Sequence, residues 1–382
     1  MRIDCRQFNG SLPCAPHKRD GRECAACAEY EPIRHRLLIV KLAAAGDVLR
    51  TTCILPALRR AWSGAQITWV TERAAMPLLA DNPLIDRVIA RDDAIPRLLV
   101  ERFDAGFGLD SDATGGALMA IARCRERAGF VLDKAGRVMP VNEAATIWWR
   151  MGTDDRLKRA NRRTLPDLLY DICGLSGHPP RPQLSVPPAT RQAIRDRFTA
   201  ALAPYGNVML LNTGGGGRWA QKKWTPRHLL ELVHLVRREQ PGTAVLVAGG
   251  PEEIAVNTAL LASIRDPGII DAGCGNSLKE FAAIVELADL VVTSDSLALH
   301  MAAALSRPVV ALVGPTSPWE LEMYGTGEVV TADVPCLACY RPACDKPVTC
   351  MELLTPRRVY DACLRVAAHG PASIALRCSL EA

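Results

Sequence analysis

The chain alternates short apolar segments with longer amphipathic ones, twice over, and this alternation restricts its possible folds more than any other feature. The first run opens on RLLIVKL (36–42), an apolar, β-branched predicted strand that a helical apolar stripe follows. The second opens on NVMLLN (207–212) and contains further predicted strands separated by predicted helices at 226–239, 251–264, 277–287 and 296–306. Strands alternating with helices predict an α/β fold with mostly parallel sheets covered on both faces.

A proline-rich stretch separates the two runs. Residues 177–190 hold five prolines in fourteen residues, and because proline stiffens a chain we expect an interdomain linker there. The predicted organisation is a cysteine-rich N-terminal segment (1–35), a Rossmann-like domain (36–176), the linker (177–190), a second Rossmann-like domain (191–335) and a cysteine-rich loop with a C-terminal helix (336–382). Ligands of such sheets bind beyond the carboxyl ends of the strands, which predicts two facing domains with a ligand cleft between them.

A glycine run follows the first predicted strand of the second domain. Glycines 214–217 would let the backbone approach a ligand closely, and Arg218, Lys222 and Lys223 add positive charge. The Gly-Lys-Ser/Thr of a P-loop does not follow, and glycine runs are often plain loops. Glycine and lysine together at the carboxyl end of a strand nevertheless favour a phosphate site.

A second motif of that domain is VVTSDSLALHMAAAL (291–305), in which a predicted strand runs to Asp295 and a predicted helix begins at Ser296. The first-turn amides around Ser296 and Leu297 would face the ligand edge, and a helix N-terminus with a hydroxyl suits an anion. The serine is equally an ordinary helix cap. A lone histidine such as His300 is more often packed than catalytic.

A third motif, VGPT (313–316), follows the next predicted strand and brings Gly314 and Thr316 to the same edge. All three motifs follow strands of one sheet, so their loops are expected to lie together. Three loops suited to a diphosphate weigh more than any one of them alone.

In the first domain, KLAAAGDVLRTT (41–52) follows the opening strand. Its glycine and aspartate begin a helix at the carboxyl end of that strand, which places Asp47 where ligands bind. Aspartate near a helix start is also an ordinary cap, because it accepts otherwise unpaired amide hydrogens. Both interpretations stay open on this motif alone.

Taken in order over about residues 36–330, the motifs LLIVKLAAAGDVLRTT, KKWTPRHLLELV, AGGPEE and VVTSDSLALHMAAALSRPVVALVGPT resemble the ADP-heptose glycosyltransferases. These enzymes form the heptosyltransferase family that builds the inner core of lipopolysaccharide. The resemblance implies a GT-B fold, with the nucleotide-sugar donor in the C-terminal domain and the acceptor in the N-terminal domain. It also implies inverting transfer with no cofactor for catalysis.

The resemblance gives a role to each matching residue. Asp47 matches the proposed general base, which would take the proton of the acceptor hydroxyl. Lys222 matches a lysine that binds the diphosphate and offsets the charge that builds up on the leaving nucleotide. The remaining matches concern the donor: Glu253 for the ribose, Asp295 for the sugar, Ser296 and Leu297 for the phosphate-binding turn, His300 for the end of that motif and, more weakly, Thr213 and Thr316.

Eight of the fourteen cysteines fall into two groups with a C-x-x-C in each. Because reducing compartments disfavour disulfides, each group predicts a structural zinc or iron site. Some relatives that heptosylate autotransporter proteins carry a four-cysteine iron site near the C-terminus, which the second group resembles. Unliganded thiols, one site shared by both groups and a substitute ligand, His17, are the alternatives. The N-terminal group is Cys5, Cys14, Cys24 and Cys27, and the C-terminal group is Cys336, Cys339, Cys344 and Cys350.

Positive charge is concentrated in the basic segment 121–163, which holds eleven Lys/Arg against five acids. The excess predicts an anionic partner such as a glycolipid or a membrane surface, or else a solvated helical face. Nucleic acid is disfavoured because no aromatic stacking platform interleaves with the basic residues. No apolar stretch reaches the ~20 residues of a membrane span, and the N-terminus has no apolar signal core. We therefore expect a cytoplasmic protein with peripheral contact at the inner membrane.

These features predict a glycosyltransferase that moves a heptose, or a similar sugar, from an ADP-sugar to a hydroxyl of an anionic, lipopolysaccharide-type glycolipid. Two alternatives stay open. The first is transfer to a protein hydroxyl by an enzyme with a four-cysteine metal site. The second is a metal-stabilised binding or scaffold protein without turnover, which gains support because Leu297 and alanines 43–45 replace a glycine and serines of the family pattern.

Overall fold

The computed structural model describes residues 1–216, 221–341 and 343–369, and its contacts divide the chain into two units. The first unit is Met1–Arg150 together with Pro166–Pro180. The second is Met151–Leu165 together with the chain from Arg181 onward. Predicted site residue Arg218, glycine 217 and the end of the predicted C-terminal segment lie outside the described residues.

The first half of the chain forms a six-stranded sheet in the order β3-β2-β1-β4-β5-β6. All pairings are parallel except that of β5 with β6, which is antiparallel. The helices and strands of this half are α1 (Ala15–Asp20), β1 (His35–Val40), α2 (Ala45–Thr51), α3 (Leu55–Ala61), β2 (Ala65–Thr71), α4 (Met76–Leu79), β3 (Arg87–Ala90), α5 (Arg91–Val100), β4 (Arg102–Gly108), α6 (Ala113–Ile121), β5 (Arg123–Leu132), β6 (Val138–Pro140), α7 (Glu143–Thr153), α8 (Asp155–Ala160) and α9 (Leu165–Ile172).

The second half forms a fully parallel six-stranded sheet in the order β12-β11-β10-β7-β8-β9. Its elements are α10 (Pro188–Leu202), β7 (Asn207–Asn212), α11 (Pro226–Glu239), β8 (Thr243–Ala248), α12 (Ile254–Ala262), β9 (Ile269–Gly273), α13 (Leu278–Leu287), β10 (Leu290–Ser294), α14 (Leu297–Ala304), β11 (Val309–Val313), β12 (Gly327–Thr331), α15 (Cys350–Leu353) and α16 (Pro356–His369).

Both sheets have the strand order 3-2-1-4-5-6 of a Rossmann fold, counted along each half. In this order the chain reverses direction across the sheet between β1 and β4, and again between β7 and β10. Loops that leave the carboxyl ends of these neighbouring strands turn to opposite faces and open a crevice, which is where Rossmann sheets bind ligands. The two switch points therefore select the loops after these four strands as candidate sites.

The central strands owe their position to uninterrupted apolar sequence. Every residue of β8, β10 and β11 is buried, because helices cover both faces of a parallel sheet. Amphipathic helices supply the cover: in α11, Leu229, Leu232 and Val236 are buried against the sheet, and the opposite side carries charge. The prediction of an α/β chain with two parallel-sheet domains is confirmed.

Sequence and structure differ in details. The helix predicted at 296–306 is shorter, Leu297–Ala304, because Ser296 caps it. The basic segment was assigned to the first domain, but residues 151–165 make their contacts with the second unit, where Lys158 stacks on Tyr340 at 3.7 Å. None of the helices in the described part of the chain combines the length and apolar character needed to span a bilayer.

Candidate functional site

The switch point of the second sheet is organised by one buried amide. Asn212 is the last residue of β7, and its Nδ2 lies 2.9 Å from Thr293 Oγ1, 3.2 Å from Ser296 Oγ and 2.9 Å from the Gly214 carbonyl. These acceptors belong to the glycine loop and to the end of β10. Asn212 therefore fixes two of the predicted donor motifs relative to each other.

Asp295, directly after β10, is the centre of a charged cluster. Lys222 Nζ and Thr316 Oγ1 each donate to Asp295 Oδ2 at 2.7 Å, and His300 Nε2 lies 3.9 Å from Oδ1. The carboxylate is only 13% exposed, so these partners replace much of its lost hydration. The structure thus brings together four predicted donor residues that come from three motifs along the chain.

Ser296 is the N-cap of α14, as the simpler interpretation of the sequence proposed. Its Oγ accepts a hydrogen bond from Ala298 N at 3.2 Å and lies 2.9 Å from Thr293 Oγ1. Leu297 is the first residue of the helix. Capping leaves a helix N-terminus, with its partial positive charge, at the switch point.

The loop after β8 carries a buried carboxylate. Glu253 is 4% exposed, and its Oε2 accepts from Gly250 N at 2.9 Å. Lys223 Nζ lies 2.6 Å from Glu253 Oε1. Partial burial lowers the pKa of Lys223, but the hydrogen bonds and charges of the two neighbouring glutamates outweigh it and raise that pKa. Glu253 is therefore held in place by a lysine adjacent to the one that contacts Asp295.

Thr213 is turned into the protein. Its Oγ1 donates to Asn257 Oδ1 at 2.7 Å and lies 3.1 Å from the Ala248 carbonyl, and the residue is buried. A hydroxyl engaged in this way orders the glycine loop, and its predicted contact with a donor stays a prediction.

The VGPT loop rests on the C-terminal cysteine group. Ala338 N donates to the Gly314 carbonyl at 3.1 Å, and Tyr340 N donates to the Pro315 carbonyl at 2.8 Å. A side chain at Gly314 would overlap the Cys350 thiol, so this position admits only glycine without a shift of the neighbouring helix α15. The loop that offers Thr316 to Asp295 is thus supported from behind by the cysteine-rich loop.

In the first unit, Asp47 lies in the first turn of α2. Its Oδ1 accepts from Arg50 Nε at 3.0 Å, and its side chain is 37% exposed. The N-cap of α2 is Ala44, which makes no side-chain capping bond. Asp47 is therefore an accessible carboxylate beside a guanidinium and not the cap of its helix.

A buried ion pair holds the segment that leads to Asp47. Lys41, just after β1, donates to Asp110, just after β4, and also to the Ala43 carbonyl at 2.6 Å. Asp110 accepts the Leu42 amide as well. Burial raises the pKa of Asp110, and Lys41 opposes this rise. The pair joins the two strands of the first switch point, as Asn212 does in the second.

Within each cysteine group the thiols lie near one another, but in the described residues they do not form a metal-binding cluster. The four thiols of the N-terminal group line one cavity of about 30 Å³. Burial raises the pKa of Cys350, and the other three thiols of its group raise it further because they lie near it. Across residues 1–216, 221–341 and 343–369, however, no three possible ligands lie close enough to hold a metal ion. The metal sites stay a prediction.

The residues that position the site were not predicted from the sequence. Asn212, Lys41 and Asp110 all stand at the ends of apolar strands, where a polar residue would otherwise be an ordinary strand terminus. These residues could have been identified by their position at the two switch points. That position is known only once the order of the strands in each sheet is known.

Known proteins are similar to this chain in sequence and in fold. The family model of glycosyltransferase family 9 (heptosyltransferase) matches residues 100–347. Lipopolysaccharide heptosyltransferase 1 of Pseudomonas aeruginosa is 25% identical over 334 residues, which cover 81% of this chain and 87% of that protein.

Solved structures share the fold at low identity. The glycosyl transferase family 9 structure from Veillonella parvula DSM 2008 is 16% identical, with a TM-score of 0.72 over 87% of this chain and 97% of that one. The iron-containing dodecameric glycosyltransferase TibC of enterotoxigenic E. coli H10407 is 15% identical, with a TM-score of 0.53 over 88% of this chain and 76% of that one. A structure of heptosyltransferase TibC in complex with ADP-D-β-D-heptose has a TM-score of 0.52, at 13% identity, over the same shares.

Proposed function

Because the chain belongs to glycosyltransferase family 9, the heptosyltransferase family, we propose that it transfers a heptose from an ADP-sugar to a hydroxyl of a lipopolysaccharide-type glycolipid. The chain is a glycosyltransferase with a GT-B fold, as the sequence predicted. The nature of the donor, the acceptor and the base is the proposed part.

The Asp295 cluster carries the donor proposal. Lys222, Thr316 and the N-terminus of α14 lie around one carboxylate at the switch point where Rossmann sheets bind nucleotides. In the proposal, the diphosphate takes over Lys222 as its counter-ion, and Asp295 is freed to contact the sugar hydroxyls. Glu253, held by Lys223, would accept from the ribose hydroxyls. The heptosyltransferase TibC, a protein of the same fold, was solved with ADP-D-β-D-heptose.

The proposed reaction is a single inverting displacement. The acceptor oxygen forms a bond to the anomeric carbon while the bond from that carbon to the β-phosphate oxygen breaks and ADP leaves. Asp47 takes the proton of the acceptor hydroxyl, which is a step for an accessible carboxylate. Lys222 offsets the negative charge that grows on the departing diphosphate. No metal takes part in this proposed sequence.

The identity of the acceptor is tested by finding which molecule gains a heptose. The purified protein is incubated with ADP-heptose and either core-deficient glycolipid or lysate protein, and the masses of the products are measured by mass spectrometry. We expect one heptose to be added to the glycolipid, with ADP released in equal amount. Labelled protein with unlabelled lipid would replace this acceptor by a protein hydroxyl. Absence of binding to ADP or ADP-heptose in calorimetry would favour the non-catalytic scaffold.

Structural metal remains part of the proposal. Thiolate groups suit zinc or iron, and TibC, of the same fold, is described as iron-containing. The N-terminal thiols would have to move closer together around their shared cavity to enclose an ion. Elemental analysis is made on the native protein and on two variants, each lacking the cysteines of one group. The metal content lost in each variant tests the two sites separately. We place the enzyme in the cytoplasm, where thiols stay reduced.

A further inference from the structure

An arginine-lined groove lies at the edge of the first sheet away from Asp47. Its volume is about 800 Å³, and it follows the amino ends of β1, β4 and β5. β1 runs from this groove to the segment that precedes Asp47, so the two sites lie at opposite ends of the same strand. The arginines that line the groove are Arg34, Arg36, Arg102, Arg123, Arg125 and Arg127.

Most of this positive charge is not neutralised by the protein. Asp104 is the acid that lines the groove, and it accepts the Arg36 amide at 2.8 Å. In the described part of the chain, no carboxylate pairs with the guanidinium of Arg34, Arg102, Arg123 or Arg125. Like charges gathered without counter-ions repel each other, so a groove of this kind is stabilised by an anion from outside.

A neighbouring cavity of the same edge shows the contrast. It has a volume of about 860 Å³ and shares Ile33 and Arg36 with the groove. There the arginines are paired: Arg6 contacts Asp86, and Arg87 contacts Glu101. At this edge of the sheet, carboxylates therefore neutralise arginines in the neighbouring cavity but leave most arginines of the groove without a counter-ion.

Apolar side chains flank the groove in a repeated pattern. Helix α5 ends at Val100, 73% exposed, two residues before Arg102, and α6 ends at Ile121, 36% exposed, two residues before Arg123. Arg102 and Arg123 are register partners in adjacent strands, so the two apolar–arginine pairs lie side by side. Ile3, 72% exposed, lines the neighbouring cavity.

We propose that this arginine edge binds the surface of an anionic lipid bilayer, with Arg34, Arg102, Arg123 and Arg125 on the phosphates and Val100 and Ile121 in the interfacial layer. Unpaired arginines beside exposed aliphatic residues supply the two contributions that bind proteins to membrane interfaces. A soluble phosphate compound would use the arginines but leave the apolar residues in water. Single-stranded nucleic acid would need exposed aromatic rings, and Phe103 of the groove is buried.

The surface holds the enzyme near its membrane and is not its acceptor site, because Asp47 lies at the other end of β1. The proposal thus stands apart from the proposed function: a failure to bind vesicles leaves sugar transfer untouched, and a failure of transfer leaves vesicle binding untouched.

The test compares two triple variants of the full chain. Arg102→Gln, Arg123→Gln and Arg125→Gln together remove three groove charges, and a control set removes three exposed arginines of the second unit: Arg195→Gln, Arg265→Gln and Arg358→Gln. Sedimentation with phosphatidylcholine vesicles, with and without phosphatidylglycerol, measures binding. We expect wild-type protein to bind only the anionic vesicles, and the groove variant to lose about 100-fold in affinity, roughly fivefold per arginine.

The control set should bind within about twofold of wild type, because its three arginines belong to the second unit and do not line the groove. A second variant, Val100→Ser with Ile121→Ser, should weaken vesicle binding about tenfold and leave its salt dependence unchanged. Circular dichroism confirms that each variant is folded.

Three results would overturn the membrane proposal. The first is equal binding of wild type to neutral and anionic vesicles. The second is equal loss in the groove and control sets. The third is saturable binding of inorganic pyrophosphate or of single-stranded RNA that depends on the groove arginines, without any vesicle binding, which would assign the groove to a soluble anion.

Discussion

The carboxylate of Asp295 depends on two neighbouring side chains for its stability. A carboxylate that is 13% exposed needs compensation, and Lys222 and Thr316 provide it at 2.7 Å each. A bound diphosphate would draw Lys222 to itself, and Thr316 and His300 would then hold Asp295. The lysine is therefore expected to matter more for the donor than for the fold.

Replacement of Lys222 by methionine tests this expectation. Loss of the ammonium removes a charged hydrogen bond to the diphosphate and leaves Asp295 facing it, so we expect the affinity for ADP to fall about 10- to 100-fold. Isothermal calorimetry measures the change, and Lys134→Met, at an exposed position of the first unit, is the matched control. Unchanged ADP affinity in Lys222→Met would exclude this lysine as the diphosphate ligand.

At the scale of elements, the candidate donor site of the second sheet lies where the carboxyl ends of β7 and β10 are adjacent. Asn212 ties the end of β7 to Thr293 and Ser296 at the end of β10, and the pairing of the two strands brings these residues together. The glycine loop and the N-terminus of α14 are positioned through the same amide. Local order at the site thus depends on a contact between residues about eighty positions apart.

Asn212→Ala should disturb that order. The hydroxyls of buried Thr293 and partly buried Ser296 lose a hydrogen-bond donor, so we expect the free energy of unfolding to fall by about 2 kcal/mol and the affinity for ADP to fall about tenfold. Asn207→Ala, at the opposite end of β7, is the control and should change neither quantity appreciably. Urea unfolding and calorimetry give the two values. An equal effect of both substitutions would show that the hydrogen bonds of Asn212 do not hold the ends of β7 and β10 together.

Sequence predicted the elements better than the contacts between them. Strands such as Val309–Val313 are apolar throughout and α11 has a clear helical period, so their type was visible locally. Lys41 and Asp110 are 69 positions apart, and their pairing follows from strand order alone. The support of Gly314 by Cys350 was likewise hidden, because no local pattern joins a strand end to a later helix.

The whole molecule carries several buried thiols whose protonation is linked to folding. Burial raises the pKa of Cys53 from 9.0 to about 12 and that of Cys124 to about 11. In the unfolded chain both thiols ionise above pH 9, whereas in the folded protein they stay neutral. The folded state thus binds more protons than the unfolded state between pH 9 and about 11, and stability must fall as pH rises through this range.

We predict that the free energy of unfolding decreases above pH 9 by up to about 1.4 kcal/mol per pH unit for each such thiol. Urea unfolding at a series of pH values measures the slope. Cys53→Ala should reduce the slope, whatever it does to stability at neutral pH, and Asn207→Ala, which removes no titratable group, should not. A slope that is the same in all three proteins would refute the linkage.

The most direct test of the whole account is the rate of heptose transfer by Asp47→Asn, measured by mass spectrometry with calorimetry of ADP on the same sample. The substitution keeps the shape of the side chain and removes its ability to take a proton. We predict a loss of transfer of about 10²- to 10⁴-fold with the affinity for ADP unchanged, and wild-type transfer in the control Asp92→Asn, another first-turn aspartate beside an arginine. Full transfer by Asp47→Asn would contradict the account.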